Sequence, residues 1–259
     1  MIERIFILEN KKISGIEKEK EKIKKLLKSC GKVVENEFES PDLVLTLGGD
    51  GTILKAIRMI KDKKTLIYGI NYGKTGFLTN SSENIEEKIK GLLNGKFKVS
   101  ERMLLELSVE REGKNIYKER VLNDFLIFRD GIRIINIEVF LNDKEKFDFR
   151  GDGILISTPT GSTAHSLSTG GPIIYPEFES ILITPFSPYT LSIRPLVLPS
   201  ETKIKIKFSS KSKIISDGQV EFNVGKDDMI KIKKSELKAN LIIEDSFLNK
   251  LITKFNFGK

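Results

Sequence analysis

The sequence predicts two architectures in succession, an N-terminal open parallel α/β sheet domain and a C-terminal all-β, β-sandwich-like domain. Three observations favour this fold class. Apolar runs alternate with amphipathic helical patterns in the first third of the chain, a glycine turn joins one such pair, and period-2 alternation dominates after Gly95. We expect domains at 1–96 and 97–235, with 236–259 packing back on the first domain.

The first third of the chain reads as three strand–helix pairs. We expect strands at 2–8, 43–47 and 65–71, and helices at 15–29, 51–61 and 84–94. This alternation predicts parallel strands joined by crossover helices. Ligands of such sheets bind beyond the carboxyl ends of the strands, where the glycine turn at 48–51 would lie.

The middle of the chain reads as β-structure. Residues 104–109, 134–140 and 204–208 show period-2 alternation or dense β-branched content. Turns are predicted at 112–114 and 142–144. The last stretch, 241–255, reads as a strand followed by a helix, which is why we expect it to return to the first domain.

Composition narrows the class of protein. The 259 residues are 39% hydrophobic and 31% charged, and no apolar run approaches the length of a membrane span. The lone cysteine, Cys30, excludes an internal disulfide and suits a reducing cytoplasm. The net charge of +8 comes largely from lysines interleaved with glutamates, as in 17–22. We expect no nucleic-acid or membrane partner, although charge alone leaves a nucleic-acid binder as an alternative.

The most informative motif is the turn Gly48-Gly49-Asp50-Gly51-Thr52, between an apolar run and a helical pattern. Glycines let a ligand approach the backbone, and the first N–H groups of a helix bind anions. Asp is also a common helix N-cap, which is the ordinary explanation of Asp50. Phosphate binding alone does not require a carboxylate, however. The motif therefore indicates phosphoryl transfer, with Asp50 orienting a hydroxyl or accepting its proton.

Two other glycine-rich segments need interpretation. Residues 69–75 resemble a phosphate loop but have three intervening residues instead of four, so we reject that interpretation and expect 76–79 to line the same site. Residues 161–172 are rich in small and hydroxylic side chains and contain His165, the only histidine. A serine hydrolase is disfavoured because the Gly-x-Ser-x-Gly elbow is absent.

Two polar pairs complete the candidates. Asn123 and Asp124 interrupt the apolar run 121–127 and are either a strand-end turn or groups that contact a ribose or a purine edge. Asp217-Gly218 alone predicts only a hairpin turn.

Together these segments resemble the NAD kinases, which phosphorylate the 2′-hydroxyl of the adenosine ribose of NAD to give NADP. The run Thr158–Thr163 distinguishes this family from lipid kinases and phosphofructokinases, which share the first motif. The matching pieces span most of the chain in the expected order: 48–52, 71–79, Asn123-Asp124, 152–172, Arg194-Pro195-Leu196 and Asp217-Gly218-Gln219.

The resemblance implies an active site in the cleft between the domains, with Asp50 as the catalytic acid/base. It implies that ATP, with Mg²⁺, places its phosphates on Gly48, Gly49, Gly51 and Thr52, and it assigns no metal ligand. A homodimer or homotetramer is implied, with some contacts supplied by a neighbouring subunit. The implied NAD contacts are Asp50, Gly51, Phe77, Asn123, Asp124, Arg133, Arg150, Asp152, Thr163, Ala164, His165, Ser166, Ser168 and Gln219.

Two residues depart from the family pattern. His165 stands where tyrosine is usual against adenine, and Asp124 stands where glutamate is common. An imidazole can still stack on a purine, with less area. A non-catalytic NADP-binding sensor and a lipid or diacylglycerol-type kinase stay open as alternatives. The phosphoryl donor is ATP, with inorganic polyphosphate as an open second choice.

Overall fold

A computed structural model describes residues 2–73 and 76–258, which group into two compact units. The first unit contains the residues up to Glu101 and those from Ala239 onward, and the second contains Arg102–Lys238. The first elements in chain order are β1 (Arg4–Glu9), α1 (Ile16–Ser29), β2 (Val33–Glu35), β3 (Leu43–Gly48), α2 (Asp50–Met59), β4 (Leu66–Asn71), β5 (Asn80–Ser81) and α3 (Ile85–Leu93).

The elements that follow are almost all strands. They are β6 (Val99–Arg111), β7 (Lys114–Val121), β8 (Asp124–Arg129), β9 (Ile135–Leu141), β10 (Glu145–Ser157), a 3₁₀ turn (Thr160–Thr163), α4 (His165–Ser168), β11 (Ser180–Pro188), β12 (Leu196–Pro199), β13 (Ile204–Phe208), β14 (Ser212–Ser216), β15 (Val220–Val224), β16 (Met229–Ile242) and α5 (Phe247–Phe255).

The first unit is a parallel sheet in the order β16-β4-β3-β1-β2, with β5 beside the end of β4. The last strand joins it through Asn240 and Leu241, which pair with β4. The short strands β2 and β5 were not predicted. They carry too few residues to show a periodicity, whereas each predicted strand and helix of this unit is present within a few residues of its expected ends.

Apolar side chains alternate along the parallel strands and fill both faces of the sheet. One face buries Ile5, Leu45 and Ile70 against Ile23 of α1 and Ile89 of α3. The other face buries Leu8 and Val44 with Ala56 of α2. Because α2 starts where β3 ends, its N-terminus lies at the carboxyl edge of the sheet. Gly48 and Asn71 are paired at that edge.

The second unit consists of antiparallel strands around one hydrophobic core. Its sheet runs in the order β15-β14-β8-β10-β9-β13-β16. The long strand β10 pairs with β9 through its first half, and with β8 and β11 through its second half. The predicted turns at 112–114 and 142–144 connect β6 to β7 and β9 to β10.

The predicted fold class is confirmed. The first unit is a parallel α/β sheet and the second is strand-rich, as the change from strand–helix alternation to period-2 alternation indicated. None of the helices in the described parts of the chain combines the length and apolar character of a membrane span.

Candidate functional site

The predicted glycine turn joins β3 directly to α2 in the first unit. Gly48 ends the strand, and a Cβ there would overlap with the hydroxyl of Thr52, so packing explains this glycine. A Cβ on Gly49 would meet no atom of the described residues within 4 Å, and its φ of −99° is open to any residue. Packing and backbone strain therefore do not explain Gly49, which faces open space at a helix start without a side-chain cap.

Asp50, the first residue of α2, is held by the backbone of 77–79. Its Oδ2 accepts the N–H of Phe77 at 2.6 Å. Its Oδ1 accepts the N–H of Leu78 at 2.9 Å, and the N–H and hydroxyl of Thr79 at 3.1 and 3.3 Å. Within 2–73 and 76–258, three donors thus fill Oδ1, whereas one donor reaches Oδ2. A carboxylate offers about four acceptor positions, so Oδ2 is the atom that can take a further hydroxyl donor.

The segment 76–79 encloses the Asp50 carboxylate closely. A Cβ on Gly76 would overlap with Oδ1 of Asp50 and with the hydroxyl of Thr79, so this position has room only for glycine. The half-buried ring of Phe77 packs between Phe247 and Phe255 of α5, with centroid distances of 5.6 and 5.9 Å.

Two residues of the matching segment 71–79, Lys74 and Thr75, lie outside the described residues. Gly69 lies within β4, and a Cβ there would overlap with the side chain of Ile53 in α2. It is therefore a packing glycine, in agreement with the rejection of a phosphate loop at 69–75.

A second carboxylate, Asp217, holds the polar pair of the second unit. Its Oδ1 accepts the N–H of Asn123 at 2.7 Å and that of Asp124 at 3.3 Å, and its Oδ2 accepts the N–H of Leu122 at 3.1 Å. The N–H of Asp217 donates in return to the carbonyl oxygen of Asp124 at 3.0 Å. The hairpin turn between β14 and β15 is therefore a clamp on 122–124.

Asp124 is a deeply buried acid at the start of β8, with 4% of its surface exposed. Burial raises the pKa of its carboxyl group to about 7, and the negative charge of Asp217 acts in the same direction. The N–H of His165 donates to this carboxyl group and opposes the shift. Near neutral pH Asp124 is accordingly divided between its acid and its carboxylate.

The hydroxyl-rich run packs directly on the same polar pair. The N–H of Thr158 donates to the carbonyl of Asn123 at 2.9 Å, and a Cβ on Gly161 would overlap with that carbonyl. The exposed ring of His165 meets Phe186 edge-on, with centroids 5.8 Å apart. The structure thus brings Asn123 and Asp124 together with the predicted segment Thr163, Ala164, His165, Ser166 and Ser168.

The serine hydroxyls of this segment make backbone or threonine contacts. Ser166 pairs with Thr184 at 2.8 Å, and Ser168 donates to the carbonyl of His165 at 2.8 Å. These contacts fix the loop and give no support to a serine–histidine nucleophile.

Two predicted site residues lie further along the sheet, on β10. Ser157 is paired with Asp124, and Asp152 and Arg150 precede it by five and seven residues. At the rise of a strand, these positions are roughly 16 and 23 Å from Ser157. Asp152 pairs with Arg129 at 2.6 Å, and Arg150 lies over the ring of Tyr189 at 5.5 Å. Along β10, Asp152 and Arg150 therefore lie away from Asp124, whereas Phe186, which the ring of His165 contacts, is paired with Gly153 next to Asp152.

The other two predicted contacts, Arg133 and Gln219, are exposed. Arg133 lies between β8 and β9, and Gln219 lies two residues after Asp217 in the clamp turn.

Sequence reasoning missed three residues that build these sites. The carboxylate of Asp217 was interpreted as a turn residue or a motif match, Gly161 as part of a glycine-rich run, and Lys250 of α5 was not singled out. Lys250 had a signal, since Phe247 and Leu251 place its position on the apolar side of the helix. It is 4% exposed, and its ammonium donates to the carbonyl of Phe77 at 2.9 Å.

A glycine turn at the carboxyl edge of a parallel sheet, with a fixed carboxylate at a helix start, defines a phosphate-binding α/β protein. Comparison with known proteins gives the family. The family model of the ATP-NAD kinase N-terminal domain matches residues 4–97, and that of the ATP-NAD kinase C-terminal domain matches 122–243. The chain therefore belongs to the NAD kinase family, and the resemblance carried by its motifs is confirmed.

Individual relatives agree with this assignment. The chain is 39% identical to an NAD kinase of Geotalea daltonii, over 85% of this chain and 80% of that protein. It is 38% identical to an NAD kinase of Aquifex aeolicus, over 84% and 82%. An NAD kinase from Archaeoglobus fulgidus solved in complex with ATP is 28% identical, with a TM-score of 0.81 over 98% of both chains. Yeast NADH kinase complexed with NADH shares the fold, with a TM-score of 0.89 at 24% identity, over 100% of this chain and 89% of that one.

Proposed function

We propose that this chain transfers the γ-phosphoryl group of ATP to the 2′-hydroxyl of the adenosine ribose of NAD, with Asp50 as orienting group and proton acceptor. Family membership supports the reaction. The observation that carries the role of Asp50 is the arrangement of its carboxylate: among the described residues, Oδ1 accepts three donors and Oδ2 accepts one.

The chemistry of phosphoryl transfer suits an aspartate held in this way. Its loose transition state depends chiefly on positioning and charge neutralisation. Oδ2 would accept a hydrogen bond from the 2′-hydroxyl, aim the oxygen at the γ-phosphorus and receive the proton as the new P–O bond forms. The bond to the β-phosphate oxygen breaks in the same step, and ADP leaves.

The glycine turn is the proposed seat of the ATP phosphates. Gly48, Gly49, Gly51 and Thr52 would present backbone N–H groups and one hydroxyl at the N-terminus of α2. The open space beside Gly49 supports this role, because it leaves room for a ligand to approach the backbone at the start of α2.

Mg²⁺ would accompany ATP. The ion would be held mainly by phosphate oxygens, as Mg²⁺ commonly is beside nucleotide phosphates, with few protein ligands. Such an ion would supply charge neutralisation on the transferred group. In the sequence, Asp50 is the carboxylate nearest to the glycines that are proposed to bind the ATP phosphates.

The adenosine half of NAD would bind to the second unit. Asn123 is half-buried and offers an amide, Asp124 offers an acid that can donate or accept near neutral pH, and His165 exposes its ring. Thr163, Ala164, Ser166 and Ser168 would shape the loop that holds this ring, and Phe77 and Gly51 are proposed contacts from the first unit.

Arg133, Arg150, Asp152 and Gln219 are proposed as further dinucleotide contacts, some of them in a homodimer or homotetramer. Arg150 lies roughly 23 Å along β10 from Ser157, the residue paired with Asp124, which supports a contact to a neighbouring subunit's ligand. Tyr189 and Leu191, beside Arg150, are 70% and 82% exposed and would be covered in such an assembly. Light scattering on wild type and Leu191→Asp tests this, since we expect a dimer or tetramer that the variant weakens.

The experiment that tests the function measures NADP formation from NAD, ATP and Mg²⁺, with wild type beside Asp50→Asn. We expect turnover by wild type and a loss of about 10³-fold in kcat in the variant, with NAD binding retained. Asp62→Asn is the matched control, because Asp62 also accepts two backbone N–H groups and a threonine hydroxyl.

Each outcome separates a different part of the proposal. Turnover that survives in Asp50→Asn would leave NAD phosphorylation standing and overturn the role of Asp50. A wild type that binds NADP but turns over neither ATP nor polyphosphate would be a sensor on the same fold.

The exposed thiol of Cys30 fits the reducing cytoplasm that we propose as the location of this protein.

A further inference from the structure

The segment that holds Asp50 is itself held from behind by α5. Phe77 lies between two rings of this helix, Phe247 and Phe255. Between these rings in the sequence stands Lys250, whose ammonium donates to the carbonyl oxygen of Phe77 at 2.9 Å and to that of Thr79 at 3.4 Å. Three side chains of one helix thus contact the segment 77–79.

Lys250 is an unusual residue at this position. Only 4% of its surface is exposed, and lysine is almost never so buried unless its charge has partners. The two carbonyl oxygens provide such partners. A side chain that only anchored α5 through apolar contact would be leucine or methionine, since these avoid the desolvation of an ammonium group.

One peptide group connects Lys250 to Asp50. The carbonyl of Phe77 and the N–H of Leu78 belong to the same peptide unit, and in a trans peptide they point in opposite directions. Lys250 binds the oxygen of this unit, and Asp50 Oδ1 accepts its N–H at 2.9 Å. The cation at one end and the carboxylate at the other polarise the same dipole in the same sense, which strengthens both hydrogen bonds.

We propose that Lys250 is a positioning residue for Asp50: its ammonium fixes the Phe77–Leu78 peptide, and that peptide fixes the carboxylate that receives the substrate hydroxyl. This inference rests on the proposed function. In this role Lys250 acts through the backbone of 77–79. Its loss should therefore affect the chemical step more than substrate binding.

The test compares Lys250→Met with Lys250→Gln. Both side chains are one atom shorter than lysine, and only glutamine keeps an N–H donor for the carbonyl oxygens. We expect kcat to fall on the order of 10²-fold in Lys250→Met, as for a catalytic group displaced by about 1 Å, while KM for NAD and ATP changes less than threefold. Lys250→Gln should recover at least a tenth of the wild-type kcat.

A second readout reports on the segment directly. Hydrogen–deuterium exchange of a peptide covering 77–79 should be faster in Lys250→Met than in wild type, because the amides bound to Asp50 lose their support. Exchange in Lys250→Gln should be slower than in Lys250→Met. Lys254→Met, one turn further along α5, is the control and should leave both kcat and this exchange at wild-type values. If Lys250→Met does not fold, Lys250→Gln is compared with Lys254→Met instead. We then expect Lys250→Gln to have a measurably lower kcat than Lys254→Met and faster exchange at 77–79.

The failures are distinguishable. Wild-type kcat and unchanged exchange at 77–79 in folded Lys250→Met would overturn the inference while an inactive Asp50→Asn upheld the role of Asp50. A fall in thermal stability with unchanged kcat would make Lys250 a structural residue only. Full turnover by Asp50→Asn would overturn the catalytic role of Asp50 and with it the catalytic part of this inference, whatever the exchange data showed.

Discussion

Each of the two units contains an aspartate carboxylate that accepts three backbone N–H groups, and the two carboxylates have opposite roles. In the first unit Asp50 accepts the N–H groups of 77, 78 and 79, and in the second Asp217 accepts those of 122, 123 and 124. Each carboxylate accepts hydrogen bonds from three consecutive backbone amides that are distant in the sequence. We call the arrangement around Asp50 the first cradle and the arrangement around Asp217 the second cradle. In the first unit the segment orients the carboxylate, whereas in the second the carboxylate orients the segment.

Exposure accounts for the difference between the two carboxylates. Asp50 is half-buried and keeps an acceptor position on Oδ2, so it can meet a substrate. Asp217 is 7% exposed and lies beside the buried acid Asp124, whose pKa its charge helps to raise. Three backbone hydrogen bonds to a carboxylate therefore give a group suited to chemistry in the half-buried Asp50 and a fixed support in the buried Asp217.

Gly76→Ala should break the first cradle and has the largest expected effect. The added methyl would overlap with Oδ1 of Asp50 and the hydroxyl of Thr79, so one of them must move. We expect kcat to fall about 100-fold, with smaller changes in KM, in steady-state kinetics. Gly91→Ala, where a Cβ meets no atom within 4 Å, is the control. Unchanged kcat in Gly76→Ala would mean that the cradle is not needed for turnover.

Asp217→Asn should break the second cradle at a cost in stability. Asparagine tolerates the left-handed backbone of this position, φ 49°, but removes the charge that three amides share. We expect the free energy of unfolding to fall by roughly 2–3 kcal/mol in urea titrations near pH 6, with a higher KM for NAD. Asp143→Asn, at φ 58° in an exposed turn, should change it by less than about 0.5 kcal/mol. Equal stability of the two variants would refute the clamp.

The pH dependence of stability sharpens the contrast, because Asp124 reports on the second cradle alone. Burial raises its pKa from the ordinary 3.8 of an aspartate to about 7, so the folded state binds more protons between these values. The stabilisation is complete below the lower value and is lost as pH rises through the higher one. As pH rises from about 5 to about 7, the titration of Asp124 should lower the free energy of unfolding of the wild type by about 2 kcal/mol. Urea titrations of Asp124→Asn should lack this decline, and an equal slope in both proteins would contradict it.

His165→Tyr should have the smallest effect. The N–H of His165 is bound by Asp124, so the second cradle places this ring where the proposed adenine contact lies. A phenol ring offers more stacking area than an imidazole, and we expect NAD to bind about threefold more tightly by calorimetry, or roughly 0.6 kcal/mol. Weaker binding by the tyrosine variant would indicate that the imidazole makes a contact of its own.

Local rules were sufficient to predict the longer strands and the helices of the first unit, the strand-rich character of the second, and the glycine turn. The positions of Gly48, Asp50 and Thr52 follow from an apolar run, a turn and a helical period, all within about 20 residues. The polar pair Asn123-Asp124 was identified because it interrupts an apolar strand. These signals lie between neighbours in the sequence, which is where single-sequence reasoning is informative.

The partners of these residues could not be predicted in the same way. Asp50 is 27 to 29 residues from the amides that hold it, and Asp217 is 93 to 95 residues from its own. Lys250 is 173 residues from the carbonyl of Phe77. Such contacts depend on tertiary packing, and backbone N–H groups, which every residue except proline carries, leave no mark in the sequence.

The position of β16 and α5 in the chain has a consequence for biosynthesis. The first unit needs Asn240 and Leu241 for its sheet and Lys250 for the segment around Asp50, yet residues 102–238 are made in between. At ordinary rates of translation this interval lasts on the order of 10 s. Until β16 has been synthesised, the edge of β4 that it pairs with stays unpaired in the nascent first unit. Its proposed catalytic aspartate, among the early residues to leave the ribosome, is among the last to acquire its geometry.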